Sequence, residues 1–342
     1  MGYGECPLEV GIDSAMNNDF WKDKKILITG FEGFLGSNLT KELLKTKARV
    51  IGLDIKILRK QTILGPQDYK KMTVYKGSVT NYNLVRSILR KHSINVIFHL
   101  AAEAIVGRSL KNPRRAFESN ITGTWEVLEA ARQQGNMEAI VVASSDKAYG
   151  SHKKLPYRED APLIARYPYD VSKSCADLIS HTYAHTYSFP IAITRCGNIF
   201  GPGDFNLSRI VPDTIKCALT GKILLIRSDG KFTRDYIFVE DIVNGYILLA
   251  EKLKKLKLSG EAFNFSNENP ITVTKLVNII FRIAGKKPRY KILDQAKYEI
   301  KYQYLASDKA RRILGWEALF NLRGGLAKTI VAYKEYFRRA LG

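Results

Sequence analysis

The sequence predicts an α/β protein built on a doubly wound parallel sheet, with a smaller C-terminal lobe. Three observations carry this: short apolar runs alternate with longer amphipathic ones, three glycines join the first run to the first helix, and the alternation weakens beyond residue 200. Strands covered on both faces read as unbroken apolar runs, and their alternation with helices is the pattern of a parallel sheet.

In chain order the strands are "KILIT" (25–29), "RVIGL" (49–53), "NVIFHL" (95–100) and "AIVVAS" (139–144), and "PIAITRCGNIF" (190–200) extends the series. Between them "LGSNLTKELLKT", "NLVRSILRKH" and "GTWEVLEAARQQG" repeat apolar residues at helical spacing, the last stopping on Gly135. The expected division is a dinucleotide-binding domain over 20–190, with 231–255 returning to it, and a substrate lobe over 191–230 and 256–342.

Composition sets outer limits. With 342 residues, 45% hydrophobic and 25% charged, the chain has enough apolar material for a large core. No run suits a membrane span, and "MGYGECPLEVGIDSAMNNDF" lacks the apolar core of a signal peptide. Gly2 follows Met1, but Cys6 stands where myristoylation wants Ser or Thr, so a soluble cytoplasmic protein without a membrane partner is expected. Cys6, Cys175, Cys196 and Cys217 are too scattered for a metal site or disulfide framework, and Cys175 and Cys196 read as buried thiols. The net charge of +21 permits anionic partners, yet its basic residues are dispersed and match no nucleic-acid module. A basic surface that helps an anionic ligand arrive is the simpler account.

The glycine stretch "ILITGFEGFLGSNL" sets Gly30, Gly33 and Gly36 between a strand and a helix. A tight turn, close approach to a pyrophosphate and close helix–sheet packing all demand glycine there, and the helix N-terminus adds free amides and positive potential. Asp54 ends the second strand, 18 residues beyond Gly36, where a carboxylate accepts from ribose hydroxyls and repels a 2′-phosphate. NAD is thus favoured over NADP, although Lys56 and Arg59 nearby weaken the discrimination. Glu32 inside the loop is unhelpful to a pyrophosphate unless it points away.

Further on, "YPYDVSKSCADL" places Tyr169 and Lys173 four residues apart, on one helix face. An ammonium beside a phenol favours the phenolate, which suits removal of a proton from a sugar hydroxyl.

Gly30, Gly33 and Gly36, "HLAA" (99–102), "NITGT" (120–124), Ser145, Tyr169 with Lys173, and "RDYIFVEDIV" (234–243) together resemble the extended short-chain dehydrogenase/reductase family. The likeness runs from about residue 20 to the C-terminus. It implies a Rossmann-type NAD domain, a lobe for a nucleoside-diphosphate sugar, and catalysis by Ser145, Tyr169 and Lys173. It further implies cofactor contacts at Phe34, Leu35, Ser78, Val79, Leu100, Ala101, Ala102 and Asn120, with Lys173 on the nicotinamide ribose. Ser78 departs from the family pattern, which has Asp near the adenine. Substrate contacts are implied for Glu103, Asn198, Arg209 and Arg234, the two arginines suiting a diphosphate. A homodimer through helices near 124–134 and 172–187 is implied as well. His99 reads as a strand end only.

Within the family, "SSDKAYG", "RCGNIFGPGDFNLSRIVPDTI" and "ASDKARRILGWEALFNLRGGL" are most similar to CDP-glucose 4,6-dehydratases. Such enzymes oxidise C4, then remove H5 and expel the C6 hydroxyl, which needs an acid and a base beside C5 and C6. In dehydratases of this family an acidic and a basic residue follow the catalytic Ser or Thr, and here these are Asp146 and Lys147. Asp146 is read as the acid and Lys147 as the base, with reversed or shared roles left open. The competing reading is a solvated loop pair, because adjacent residues leaving a strand point to opposite sides and only a turn makes them converge. A 4-epimerase, in which the pair is structural, and a silent NAD-binding regulator remain the alternatives.

Overall fold

The computed structural model describes residues 17–59 and 62–341, with side chains through 338. The readings on Gly2 and Cys6 fall outside the described residues. Seven strands form one parallel sheet: β1 (Lys25–Thr29), β2 (Arg49–Asp54), β3 (Thr73–Lys76), β4 (Val96–His99), β5 (Ala139–Ala143), β6 (Ile191–Cys196) and β7 (Ala262–Phe265). Their order is β7-β6-β5-β4-β1-β2-β3, so the winding reverses between β1 and β4. In such sheets the ligand crevice opens at the carboxyl ends of the strands at that reversal.

Alternate strand residues feed two cores. Ile26, Ile28, Val96, Phe98 and Val141 pack with Leu39, Leu43, Val243 and Ile247 on one face. Leu27, Ile51, Ile97, Ile140 and Val142 pack with Val85, Leu89, Val127 and Leu128 on the other. Both faces are covered, which is why the strands carry no polar alternation.

Two segments assigned above to the substrate lobe belong to this sheet: β6 pairs in parallel with β5, and β7 with β6. The remaining C-terminal chain forms short two-stranded pieces, Asn198–Phe200 with Tyr236–Phe238, Thr233–Arg234 with Ile271–Thr272, and Leu224–Ile226 with Tyr290–Ile292. The helices Ile210–Thr220, Val273–Ile283 and Leu322–Leu341 pack around Val211, Ile215, Leu276, Ile280, Leu326 and Tyr333. No described helix is long and apolar enough to cross a membrane. Cys196 is buried as expected, whereas Cys175 is only half-buried, since its helix turns one side outward.

Candidate active site

Gly30 leaves β1 with φ +72°, and a Cβ there would lie 2.9 Å from the Ala101 backbone. At Gly36 a Cβ would sit 2.1 Å from the Gly30 carbonyl oxygen. Gly33 is the N-cap of the Phe34–Leu43 helix and offers no side-chain acceptor, so the first-turn amides at Phe34 and Leu35 stay open to an anion. Glu32 points away from this cradle. Its buried carboxylate accepts from Leu58 N (2.5 Å), Arg59 N (2.8 Å) and Tyr69 Oη (2.6 Å), which ties down the segment after β2.

Asp54 ends β2 beside this turn. It accepts from Glu32 N and Lys56 N, and it pairs with the Arg59 guanidinium. Burial raises its pKa, and Arg59 opposes that shift. Ser78 and Val79 follow β3; the Ser78 hydroxyl meets Thr80 at 2.8 Å, and Val79 is buried against Gly123. Leu100 N and Ala101 N donate to the Thr29 hydroxyl at 3.2 Å, which fixes the "LAA" backbone, ending at Ala102, across from Gly30.

His99 is more than a strand end. Its Nδ1 meets Thr29 Oγ1 at 2.8 Å and its Nε2 meets Thr124 Oγ1 at 3.0 Å, while Thr124 itself donates to Asn120 O. The Thr124 hydroxyl must therefore accept, which assigns the proton to Nε2. Burial, with Lys173 nearby, pushes the imidazole pKa down to about 3, so the ring is a neutral brace.

Asn120 sits in a π-helical turn, Glu118–Thr122, a distortion common at functional sites. Its Oδ1 accepts from Glu103 N at 2.7 Å, and its Nδ2 donates to Glu103 O and to Ser172 Oγ at 2.8 Å. These bonds tie Asn120 to the helix that carries Tyr169 and Lys173. Glu103 pairs with Arg115 at 3.2 Å.

The Pro168–Tyr187 helix carries Tyr169 and Lys173 beneath β5. Lys173 Nζ donates to Ala143 O at 2.7 Å, and burial pushes its pKa down to about 8. The Tyr169 phenol is raised above its ordinary value by burial, with a hydrogen bond from Ser145 and the charge of Arg209 opposing that rise.

At the end of β5, Ser145 caps one turn of 3₁₀-helix, Asp146–Tyr149, accepting from Lys147 N at 3.2 Å. That turn brings the two adjacent side chains together. The Ser145 hydroxyl donates to Asp146 Oδ1 at 3.0 Å, and Lys147 Nζ donates to Gln303 Oε1 at 3.2 Å. The Gln303 amide also lies against the Asp146 carboxyl. Asp146 is only 3% exposed, so this is no solvated loop pair. Burial raises the Asp146 pKa against the pull of Lys147, and burial lowers the Lys147 pKa with help from Arg234.

The lobe supplies the rest of the wall. Arg234 Nη1 donates to Thr233 O and Lys301 O at 2.9 and 3.0 Å, and Nη2 lies 3.8 Å from Glu299. Its charge faces Asp146, Lys147 and Asp170. Arg209 precedes the Ile210–Thr220 helix and is anchored on Asp204 at 3.0 Å, close enough to act on Tyr169. Asn198 begins the strand after β6, half-buried. Sequence reasoning missed Asp170, Glu299 and Gln303. Asp170 adjoins Tyr169 and its pKa is raised by burial to about 6, a signal of proximity available only in three dimensions.

The family model described as "NAD dependent epimerase/dehydratase family" matches residues 26–265. The chain is 31% identical over 327 residues to a UDP-glucuronate 4-epimerase of Thermodesulfobacterium geofontis, covering 90% of this chain and 96% of the relative. It is 28% identical over 342 residues to a CDP-glucose 4,6-dehydratase of Salmonella typhimurium, covering 94% of each. The crystal structure of a Bacillus anthracis dTDP-glucose 4,6-dehydratase in complex with NAD superposes with a TM-score of 0.80 at 27% identity, covering 91% of this chain and 97% of that one. With the glycine cradle and Asp54 fitting a dinucleotide, the chain belongs to the NAD-dependent epimerase/dehydratase family, and NAD is its cofactor.

Proposed function

We propose that this chain is a nucleotide-sugar 4,6-dehydratase that converts CDP-glucose into its 4-keto-6-deoxy form. The observation that supports it most is the placement of buried Asp146 and half-buried Lys147 beside Ser145 and Tyr169. CDP-glucose is the chosen substrate because the Salmonella relative, matched over nearly its full length, bears that name.

Gly30, Gly33, Gly36 and Asp54 would hold NAD, which when bound accepts a hydride from C4 and returns it to C6. Tyr169 acts as the phenolate and takes the O4 proton, becoming the phenol, with the Ser145 hydroxyl hydrogen-bonded to the reacting oxygen. Lys147, with its pKa lowered by burial, takes H5 on its lone pair. Asp146, with its pKa raised by burial, protonates the departing C6 hydroxyl as water. Both shifts run toward the uncharged forms that an acid and a base need before they act. Arg209 and Asn198 are assigned to the diphosphate and sugar, while Arg234 acts through its charge on Lys147. The partner of the chain is a second copy, through the exposed Trp125 and Leu178 on the helices Gly123–Gln134 and Pro168–Tyr187.

The test is incubation of the purified protein with CDP-, UDP-, dTDP- and GDP-glucose, followed by product mass. Loss of one water from the CDP sugar supports the proposal. An isobaric product rejects it in favour of a 4-epimerase, the reading to which the Thermodesulfobacterium relative lends weight.

A further inference from the structure

We propose that Gln303, from the C-terminal lobe, positions the acid and base of the elimination step: its carbonyl orients Lys147, and its amide N–H receives the charge Asp146 acquires on giving up its proton. This rests on the dehydratase reading.

Gln303 is fully buried and is held by its backbone on a strap, residues 301–306, bonded along both edges. On one edge Thr233 N donates to Lys301 O at 2.9 Å and Gln303 N to Thr233 O at 3.2 Å; on the other Tyr157 N donates to Tyr304 O, and Ala306 N to Tyr157 O, each at 2.9 Å. The side chain is therefore delivered to the pair by structure that does not depend on it.

An amide does not ionise, so its hydrogen-bonding demands are fixed. Oε1 must accept, and it does so from Lys147 Nζ at 3.2 Å. Lysine keeps N–H bonds in either protonation state, so this contact persists when the proton is lost and the lone pair is aimed away from Gln303. Flipping the amide would oppose two sets of donors, so the contact also settles its orientation. Nε2 then lies buried against the Asp146 carboxyl, in a contact that favours the charged carboxylate but falls short of a well-formed hydrogen bond. Buried donors are almost always well paired, so a loosely paired one beside a reacting carboxyl calls for a role.

The reaction supplies one. The C5–H bond breaks as Lys147 Nζ takes the proton, the electron pair forms C5=C6, and the C6–O bond breaks as the oxygen takes the Asp146 proton and leaves as water. Lys147 ends as ammonium and Asp146 as carboxylate. The Gln303 N–H meets only a weak acceptor while Asp146 is the neutral acid and a stronger one as the anion develops, so its stabilisation grows toward the transition state.

The test uses Q303L and Q303E holoenzymes with CDP-glucose. C4 oxidation is followed by reduced-cofactor absorbance in single turnover, and elimination by water loss and by solvent deuterium at C5. Q303L should oxidise C4 within about threefold of wild type and eliminate about 10²-fold more slowly, the usual cost of one donor aimed at developing charge. Q303E keeps the shape and guards against a folding artefact. Its carboxylate adds to Asp146, Asp170 and Glu299 around Lys147, against Arg234, with Asp235 facing Asp146. It favours the ammonium of Lys147 and the neutral form of Asp146, so the elimination pH profile should move up by about one unit. The proposal falls if Q303L eliminates at the wild-type rate, if it slows oxidation and elimination by one common factor, or if Q303E leaves the profile in place. A wild-type protein that yields only isobaric product overturns the dehydratase reading, and this proposal with it; a dehydrating wild type with unchanged variants overturns this proposal alone.

Discussion

Asp146 and Lys147 are adjacent residues of opposite charge, each moved toward its neutral form by the same burial. A pair that only stabilised the loop would gain most from both charges being intact, so these directions fit proton transfer better than ion pairing. Asp146→Asn with Lys147→Met should therefore abolish water loss while C4 oxidation of the bound sugar persists, read as reduced-cofactor absorbance without a mass change of one water. Normal dehydration by the double variant would remove both residues from the mechanism. The pair was legible because it is contiguous with Ser145 in the chain. Gln303, which touches Lys147, lies 156 residues further on and follows no motif, so only the folded strap brings it in. Tyr169 and Lys173 were legible as a helical pair, but not the Ala143 carbonyl that takes the lysine or the desolvation that raises the phenol.

Among the elements, the turn from β1 into the Phe34–Leu43 helix bears most directly on cofactor binding. A Cβ at Gly36 would meet the Gly30 carbonyl oxygen at 2.1 Å, and the obstacle is backbone that no rotamer change relieves. Gly36→Ala must push the helix off the strand end, misplacing the first-turn amides. NAD affinity should fall at least about tenfold, roughly 1.4 kcal/mol, by calorimetric titration. Wild-type affinity in that variant would mean that this turn does not carry the pyrophosphate. The glycine loop and five of the seven strands were legible because buried apolar runs are unambiguous between helices. β3 was not: "TVYK" is an edge strand with its end residues exposed, so it needs no apolar run. β7, "AFNF", hides its strand character behind Asn264, whose buried side chain bonds Tyr149, Tyr157 and Ala306. The π turn at Asn120 breaks the helical period that sequence reading relies on.

At the scale of the molecule, several carboxyls buried away from the surface tie stability to pH despite the net charge of +21. Asp235 lies between Thr233–Arg234 and Tyr236–Phe238, fully buried, accepting from the Ser266 hydroxyl, with Oδ1 unpartnered. Burial pushes its pKa up to about 7, with Asp146 and Glu268 adding to the rise. Its folded pKa is thus above the ordinary 3.8, so its contribution is fully present below about 3.8 and is lost as pH rises through 7. Asp241, near 7, and Asp170, near 6, act in the same direction. His99 opposes them, because its lowered pKa gives stability above 6.5 that is lost on acidification. Asparagine has the shape of the protonated carboxyl and cannot ionise. The advantage of Asp235→Asn over wild type in urea denaturation should therefore grow between pH 5 and pH 8 by at least about 1 kcal/mol, the scale of one pKa unit. The slope of stability against pH should flatten by the share that Asp235 supplies. An advantage that does not grow would show instead that Asp235 is ionised and paired in the folded protein. That outcome would place a fixed negative charge facing Asp146, which would hold its proton more firmly than burial alone.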